Sequence, residues 1–156
     1  MSRQRIVKLT LDERTVVRRN ADIEHERKVA IFDLLEENSF TLIGHEGGPY
    51  AIQLGIEDNR LAMAIATEDE EPIERVLLPL SPFRSIVKDY FMICESYFDA
   101  IKRLSPMQIE AIDMGRRGLH NEGSTMLQER LCDRITLDFP TARRLFTLLC
   151  VLHIRG

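Results

Sequence analysis

The chain has 156 residues, 44% of them apolar and 29% charged, with 21 Lys and Arg against 25 Asp and Glu. That is an ordinary globular composition, long enough to bury a core without staples. The net charge of −4 argues against bulk nucleic-acid binding, and no run of about 18 apolar residues offers a transmembrane helix.

Charge is unevenly spread. Residues 1–20 hold Arg3, Arg5, Lys8, Arg14, Arg18 and Arg19 against Asp12 and Glu13, which leaves the remainder strongly acidic. Such a patch suits an acidic partner or RNA, and equally a solvated face balanced by the acidic helix that follows. The first residues alternate basic and apolar without the apolar block of a secretion signal, so a cytoplasmic protein is expected. Cys94, Cys132 and Cys150 show no C-x-x-C spacing and read as free thiols. Cys94 and Cys150 lie on apolar helix faces, and Cys132 lies among charges.

Arg5 to Leu11 alternates as a half-buried strand. Asn20 and Asp22 are N-caps for a helix over 23–37, and Asn38 stops it. Phe40 to Ile43 is a short strand. Gly44 to Pro49 cannot be helix. Tyr50–Glu57 and Leu61–Thr67 alternate on either side of Asp58-Asn59, which predicts a two-residue hairpin. The second face of the latter strand, Ala62, Ala64 and Ala66, leaves room for a helix to pack close. Glu68 to Pro72 is an acidic turn, and Ile73 to Leu80 a further strand.

Ser81 and Pro82 predict the start of a long helix with an apolar stripe from Phe83 through Tyr90, Cys94, Tyr97, Phe98 and Ile101 to Leu104, expected to anchor the core. Ser105-Pro106 opens the next helix. On it, Ile112, Gly115, Leu119, Gly123, Met126 and Leu127 share a face. Glycines there point to a close backbone approach or to a break into two helices. Ile135 to Phe139 reads as a short strand or a connector. Pro140 opens the last helix, with Leu145, Phe146 and Leu149 inward and Arg143 and Arg144 on the other side. Strands mainly first and helices last predict one α+β domain over 1–156: an antiparallel or mixed sheet of about five strands, covered by the two long helices, with an N-terminal and a C-terminal helix.

No phosphate-binding loop, dinucleotide fingerprint, nucleophile elbow or zincin pair occurs. Two segments remain as candidate sites. On a helix, Arg116, Arg117, His120 and Asn121 share a surface, with Glu122 beside them. Two guanidiniums next to an imidazole suit an anion, because arginine meets phosphate or carboxylate oxygens in pairs. The same residues also read as ion pairs and caps of a broken helix. The second segment is the loop His45, Glu46, Gly47 and Gly48, whose glycines can turn N–H groups toward a ligand. His45 and His120 are candidate acid/base groups. A tight connection between strands explains this loop as well. His25 reads as a surface helix residue and His153 as a cation at a helix end.

Several stretches together are similar to a known family. They are Glu24 to Arg27 with Ile31 to Asn38, Gly44 to Tyr50, Gly115 to Gly123, and Thr141 to Cys150. The chain resembles an uncharacterised family of small bacterial proteins of the UPF class across nearly all of residues 5–156. The resemblance implies a bacterial cytoplasmic protein and carries over no activity, cofactor or catalytic residue. The leading expectation is a non-enzymatic binding or regulatory module for a protein, an RNA or a phosphorylated ligand, with no metal, cofactor or membrane partner. The alternatives are a small hydrolase or phosphotransfer-type enzyme, which needs the two segments to meet in one cleft, and a structural subunit of a larger assembly, including a homo-oligomer.

Overall fold

The structure is a computed structural model that describes residues 3–12, 21–45 and 48–153. The expectations placed on Asn20, Glu46, Gly47, Arg14, Arg18 and Arg19, and on the side chains of Asp22 and His153, lie outside the described residues.

The elements follow the predicted order: β1 (Ile6–Leu11), α1 (Ala21–Glu36), β2 (Phe40–Leu42), β3 (Tyr50–Glu57), β4 (Arg60–Thr67), β5 (Pro72–Pro79), α2 (Arg84–Arg103), α3 (Pro106–Leu131), β6 (Ile135–Leu137) and α4 (Phe139–His153). The fold is α+β. A four-stranded mixed sheet runs β1-β3-β4-β5, with β1 parallel to β3 and the other pairs antiparallel. β2 and β6 form a second, two-stranded antiparallel sheet.

Local chemistry explains the boundaries. Asp58 and Asn59 both adopt positive φ, 50° and 59°, as the two-residue turn between β3 and β4 requires. Ser105 accepts a hydrogen bond from the Gln108 backbone N–H (3.3 Å), and the Gln108 side chain accepts one from the Ser105 N–H (3.1 Å). This capping box starts α3, with Pro106 in the first turn. Asp138 accepts from the Thr141 N–H (3.0 Å) at the head of α4. Ser81 does not cap α2: residues Ser81–Phe83 form a 3₁₀ turn, and no side chain caps the helix proper.

Asn38 does more than end α1. Its amide donates to the carbonyls of Leu34 (2.8 Å) and Ile6 (2.9 Å), and its oxygen accepts from the Ile6 N–H (2.7 Å). One side chain thus closes the helix and pins it to the unpaired edge of β1. Asn38→Ala is expected to cost about 2 kcal/mol, because it strands backbone groups at a partly buried joint. Urea unfolding checks this; a loss under about 0.5 kcal/mol would mean that water replaces the amide.

The inner sheet face (Ile52, Leu54, Leu61, Met63, Ile65, Val76 and Leu78) is buried. α4 is buried nearly all round, from Ala142 and Leu145 to Leu152, and packs against α1, α3 and β3. A helix apolar on most of its circumference belongs in the middle of a layer, and α4 sits there, with Arg143, Arg144 and Thr147 making its one polar face. Ser39 N–H donates to Thr141 Oγ1 (2.9 Å), tying β2 to this helix.

Three expectations need correction. The α2 stripe anchors the core through Phe83, Ile86, Val87 and Tyr90, with Cys94 packed partly buried against it; Phe98, Ile101 and Leu104 further along are exposed, on a helix that packs chiefly against α3. The alanine face of β4 is half-buried or exposed, and no described helix packs closely enough to bury it. α3 is one unbroken helix of 26 residues despite its glycines. At Gly123 the close neighbour is a side chain, not a backbone: an added Cβ would lie 2.2 Å from the Phe146 ring.

Candidate functional site

α1, α3 and α4 converge around a cleft of about 350 Å³. α3 contributes Arg116, Arg117 and His120; α4 contributes Arg143, Arg144 and Thr147; α1 contributes His25, Glu26, Val29, Ala30 and Asp33; Tyr90 of α2 completes the lining. α3 and α4 present the same spacing, two adjacent arginines and a hydrogen-bonding residue three positions on. The two final residues of these patterns meet, with His120 Nε2 2.8 Å from Thr147 Oγ1.

That contact fits the Nε2-protonated tautomer of His120. The Thr147 hydroxyl has one proton, and it donates to the Arg143 carbonyl (3.2 Å). Its oxygen therefore accepts from His120 Nε2–H, which leaves Nδ1 as a bare acceptor. Nδ1 is buried and has no partner among the described residues. The ring lies between Tyr90 (centroids 5.4 Å apart) and Phe146 (5.2 Å, edge to face) and is 8% exposed. Burial, reinforced by Arg143, Arg116 and Arg144, pushes its pKa down to about 4, so the ring is neutral at pH 7.

The arginines differ in their commitments. Arg116 donates to Asp113 Oδ1 through Nε (3.1 Å) and Nη2 (2.6 Å) and lies 4.8 Å over the Tyr97 ring. Arg117 Nε lies 3.2 Å from Asp113 Oδ2. The hydrogen bond from Arg116 holds the Asp113 carboxyl below its ordinary range. Arg144 faces Asp33 at 3.9 Å. Among the described residues, Arg143 has no carboxylate within ion-pair reach, and the Nε atoms of Arg143 and Arg144 are buried without an acceptor. Buried polar groups are rarely left so, and three in one cleft mark it as the candidate site.

The two predicted segments do not meet. Arg116, Arg117 and His120 line the cleft, while Asn121 and Glu122 point to solvent. His45 lies elsewhere: its Nε2 is 3.6 Å from Glu74, which Arg134 also contacts. Gly48 has a structural task. Its φ is +109°, and an added Cβ would fall 2.1 Å from the Arg3 carbonyl oxygen, so only glycine fits. The joint arrangement of His45 and His120 that a single-site enzyme needs is absent.

Sequence reasoning missed Arg143, Arg144, Thr147 and His25. The recurring pair of arginines was the available signal. Among the described residues, no group of three or more His, Cys, Asp or Glu side chains is placed to hold a metal, and no helix is long and apolar enough to cross a membrane. Cys94 is half-buried, Cys132 exposed and Cys150 buried, all as free thiols. Burial pushes the Cys94 thiol up to about 11.

The model of an uncharacterised protein family, UPF0262, matches residues 3–155. A UPF0262 protein of Paramagnetospirillum magneticum is 63% identical, over 99% of this chain and 98% of its own length. Relatives of the same name in Azorhizobium caulinodans (59% identical; 97% and 95% covered) and Rhodospirillum rubrum (58%; 97% and 93%) are similar throughout. No solved structure matches. With the match running the length of both chains, this protein belongs to UPF0262, a bacterial family with no assigned function.

Proposed function

We propose that the protein is a cytoplasmic, non-enzymatic binding module for a small anionic ligand, held in the cleft between α1, α3 and α4. The observation that carries this reading is the set of buried, unpartnered atoms in one concavity: Arg143 Nε, Arg144 Nε and His120 Nδ1. A cleft with a few converging polar groups and a displaced pKa is where a ligand site is sought. Against chemistry, the His120 Nε2 proton is already committed to Thr147, and Thr147's own proton to a carbonyl.

Binding is tested by thermal unfolding and calorimetry with a panel of phosphate and carboxylate anions. A bound anion at about 100 times its Kd should stabilise the fold by about 2.7 kcal/mol. The double variant Arg143→Ala, Arg144→Ala should remove that gain while remaining folded by circular dichroism. A wild type indifferent to every anion, or a variant stabilised as much as the wild type, refutes the proposal.

A second reading, a subunit that completes a larger assembly, has its own support. Phe98, Ile101 and Leu104 of the α2 end, and Met107 and Met114 of α3, are exposed, Met107 at 82%. Clustered apolar exposure marks contact surfaces. Under this reading, mass in sedimentation rises with concentration, and Ile101→Glu abolishes the rise.

A further inference from the structure

The outer face of α3, turned away from the cleft, carries an apolar seam that the fold leaves open. Met107, Ala111, Met114 and Gly118 follow one another at steps of four, three and four residues, the spacing that keeps one stripe facing a partner helix. All four are exposed, Met114 at 61%. At 3.6 residues per turn, Met114 lies about 120–160° round the helix from His120 and Arg116. α3 packs chiefly against α2, α4 and β6, and these residues stay outside those contacts. Gly118 is a second, independent observation. An added Cβ there would meet nothing within 4 Å among the described residues, so the single chain gives no reason for glycine where alanine is the better helix former. Glycine on an open helix face has a use where a neighbour comes close to the backbone.

Taking the protein to assemble at all, we infer that a second copy of this chain occupies the seam, its α3 antiparallel to the first across a two-fold axis between residues 112 and 113. That axis sets Met107 of one protomer over Gly118 of the other and Ala111 against Met114, so each long side chain meets a small residue. On one flank the same register brings Glu110 opposite Arg117, twice by symmetry. The other flank sets Gln108 against Gly115 and opposes no charges. A parallel pairing would stack Met107 on Met107 and Gly118 on Gly118, and would keep Glu110 and Arg117 apart. The Arg117 side chain is 55% exposed and reaches Asp113 through Nε, so its guanidinium has donors to spare for a second carboxylate. The seam from Met107 to Gly118 is about 17 Å long. So short a contact makes a small interface and a weak, concentration-dependent dimer.

The test is sedimentation equilibrium on the full chain. The wild-type mass should rise with concentration toward that of a dimer and no further, since a two-fold contact closes on itself. Gly118→Leu should hold the protein monomeric: the single chain has room at that position and gains helix propensity, so the loss cannot come from unfolding. Glu110→Arg and Arg117→Glu should each weaken the dimer about tenfold, by setting like charges opposite each other twice. Mixed together, these two variants should form a heterodimer, one chain presenting only arginines on that flank and the other only glutamates. If Gly118→Leu self-associates as the wild type does, or the mixture shows no preference for the heterodimer, the pairing is wrong. If Ile101→Glu abolishes the rise while the α3 variants leave it intact, the contact lies at the end of α2; this inference then falls and the assembly reading stands. If the wild type stays monomeric throughout the micromolar range, both fall together.

Discussion

Gly123→Ala is expected to destabilise the protein by roughly 3 kcal/mol, against the ordinary helical preference for alanine over glycine. An added Cβ at Gly123 would lie 2.2, 2.4 and 2.7 Å from three carbons of the Phe146 ring, far inside van der Waals contact. Phe146 is fully buried in α4 and cannot swing into solvent. Either α3 and α4 move apart or the ring leaves its rotamer, and both loosen the packing that holds His120 against Thr147. Gly118 supplies the control on the same helix: an added Cβ there meets nothing within 4 Å. Gly118→Ala should stabilise by up to about 1 kcal/mol. Chemical denaturation of the two variants separates packing from propensity. Adding Phe146→Leu to Gly123→Ala should recover part of the loss; a double variant no better than the sum of its singles would show that the ring is not the obstacle.

The same pair of residues shows why the fold was largely legible and the site only partly so. Strand alternation, the Asp58-Asn59 turn and the Ser105 cap act within a few residues, and each appears where the pattern places it. The buried face of α3 does so in part: Gly123, Leu127 and Leu131 are buried where the pattern places them, and Leu119 and Met126 pack partly buried against the core. The full buried stripe is His120, Gly123, Ser124, Leu127 and Leu131. Two of these are polar, and polarity reads as solvent exposure unless a partner is known. Their partners are Thr147, 27 residues on, for His120, and the His120 carbonyl for Ser124 (2.7 Å). The cleft was hidden for the same reason. Arg116 and Arg117 were legible as an anion site, but the convergence with Arg143 and Arg144 depends on how α3 and α4 pack, which no local pattern encodes. His45 was a reasonable candidate on chemistry; its pairing with Glu74 is equally non-local.

His120 should make stability fall steeply in mild acid. Its ordinary pKa of 6.5 drops to about 4 in the fold, first through burial and then through Arg143, Arg116 and Arg144. Above pH 6.5 the ring is neutral in both folded and unfolded chains and contributes no pH dependence. Between pH 6.5 and about 4 the unfolded chain takes up a proton that the folded chain refuses, so stability falls as pH falls. Below about 4 the folded ring protonates too and the loss levels off. At about 1.4 kcal/mol per unit, the full displacement is worth about 3 kcal/mol. Asp113 and other paired carboxylates also weaken in acid, so the comparison must be with His120→Gln, whose amide can still donate to Thr147 Oγ1. Urea unfolding from pH 7.5 to 4 should show the wild type losing about 3 kcal/mol more than this variant. Equal losses would mean that the ring finds a partner for its second nitrogen and charges freely. A bound anion neutralises part of the arginine field that disfavours imidazolium, so a saturating ligand should shrink the wild-type loss. That response would place the ligand beside His120 without any assumption about what the ligand is.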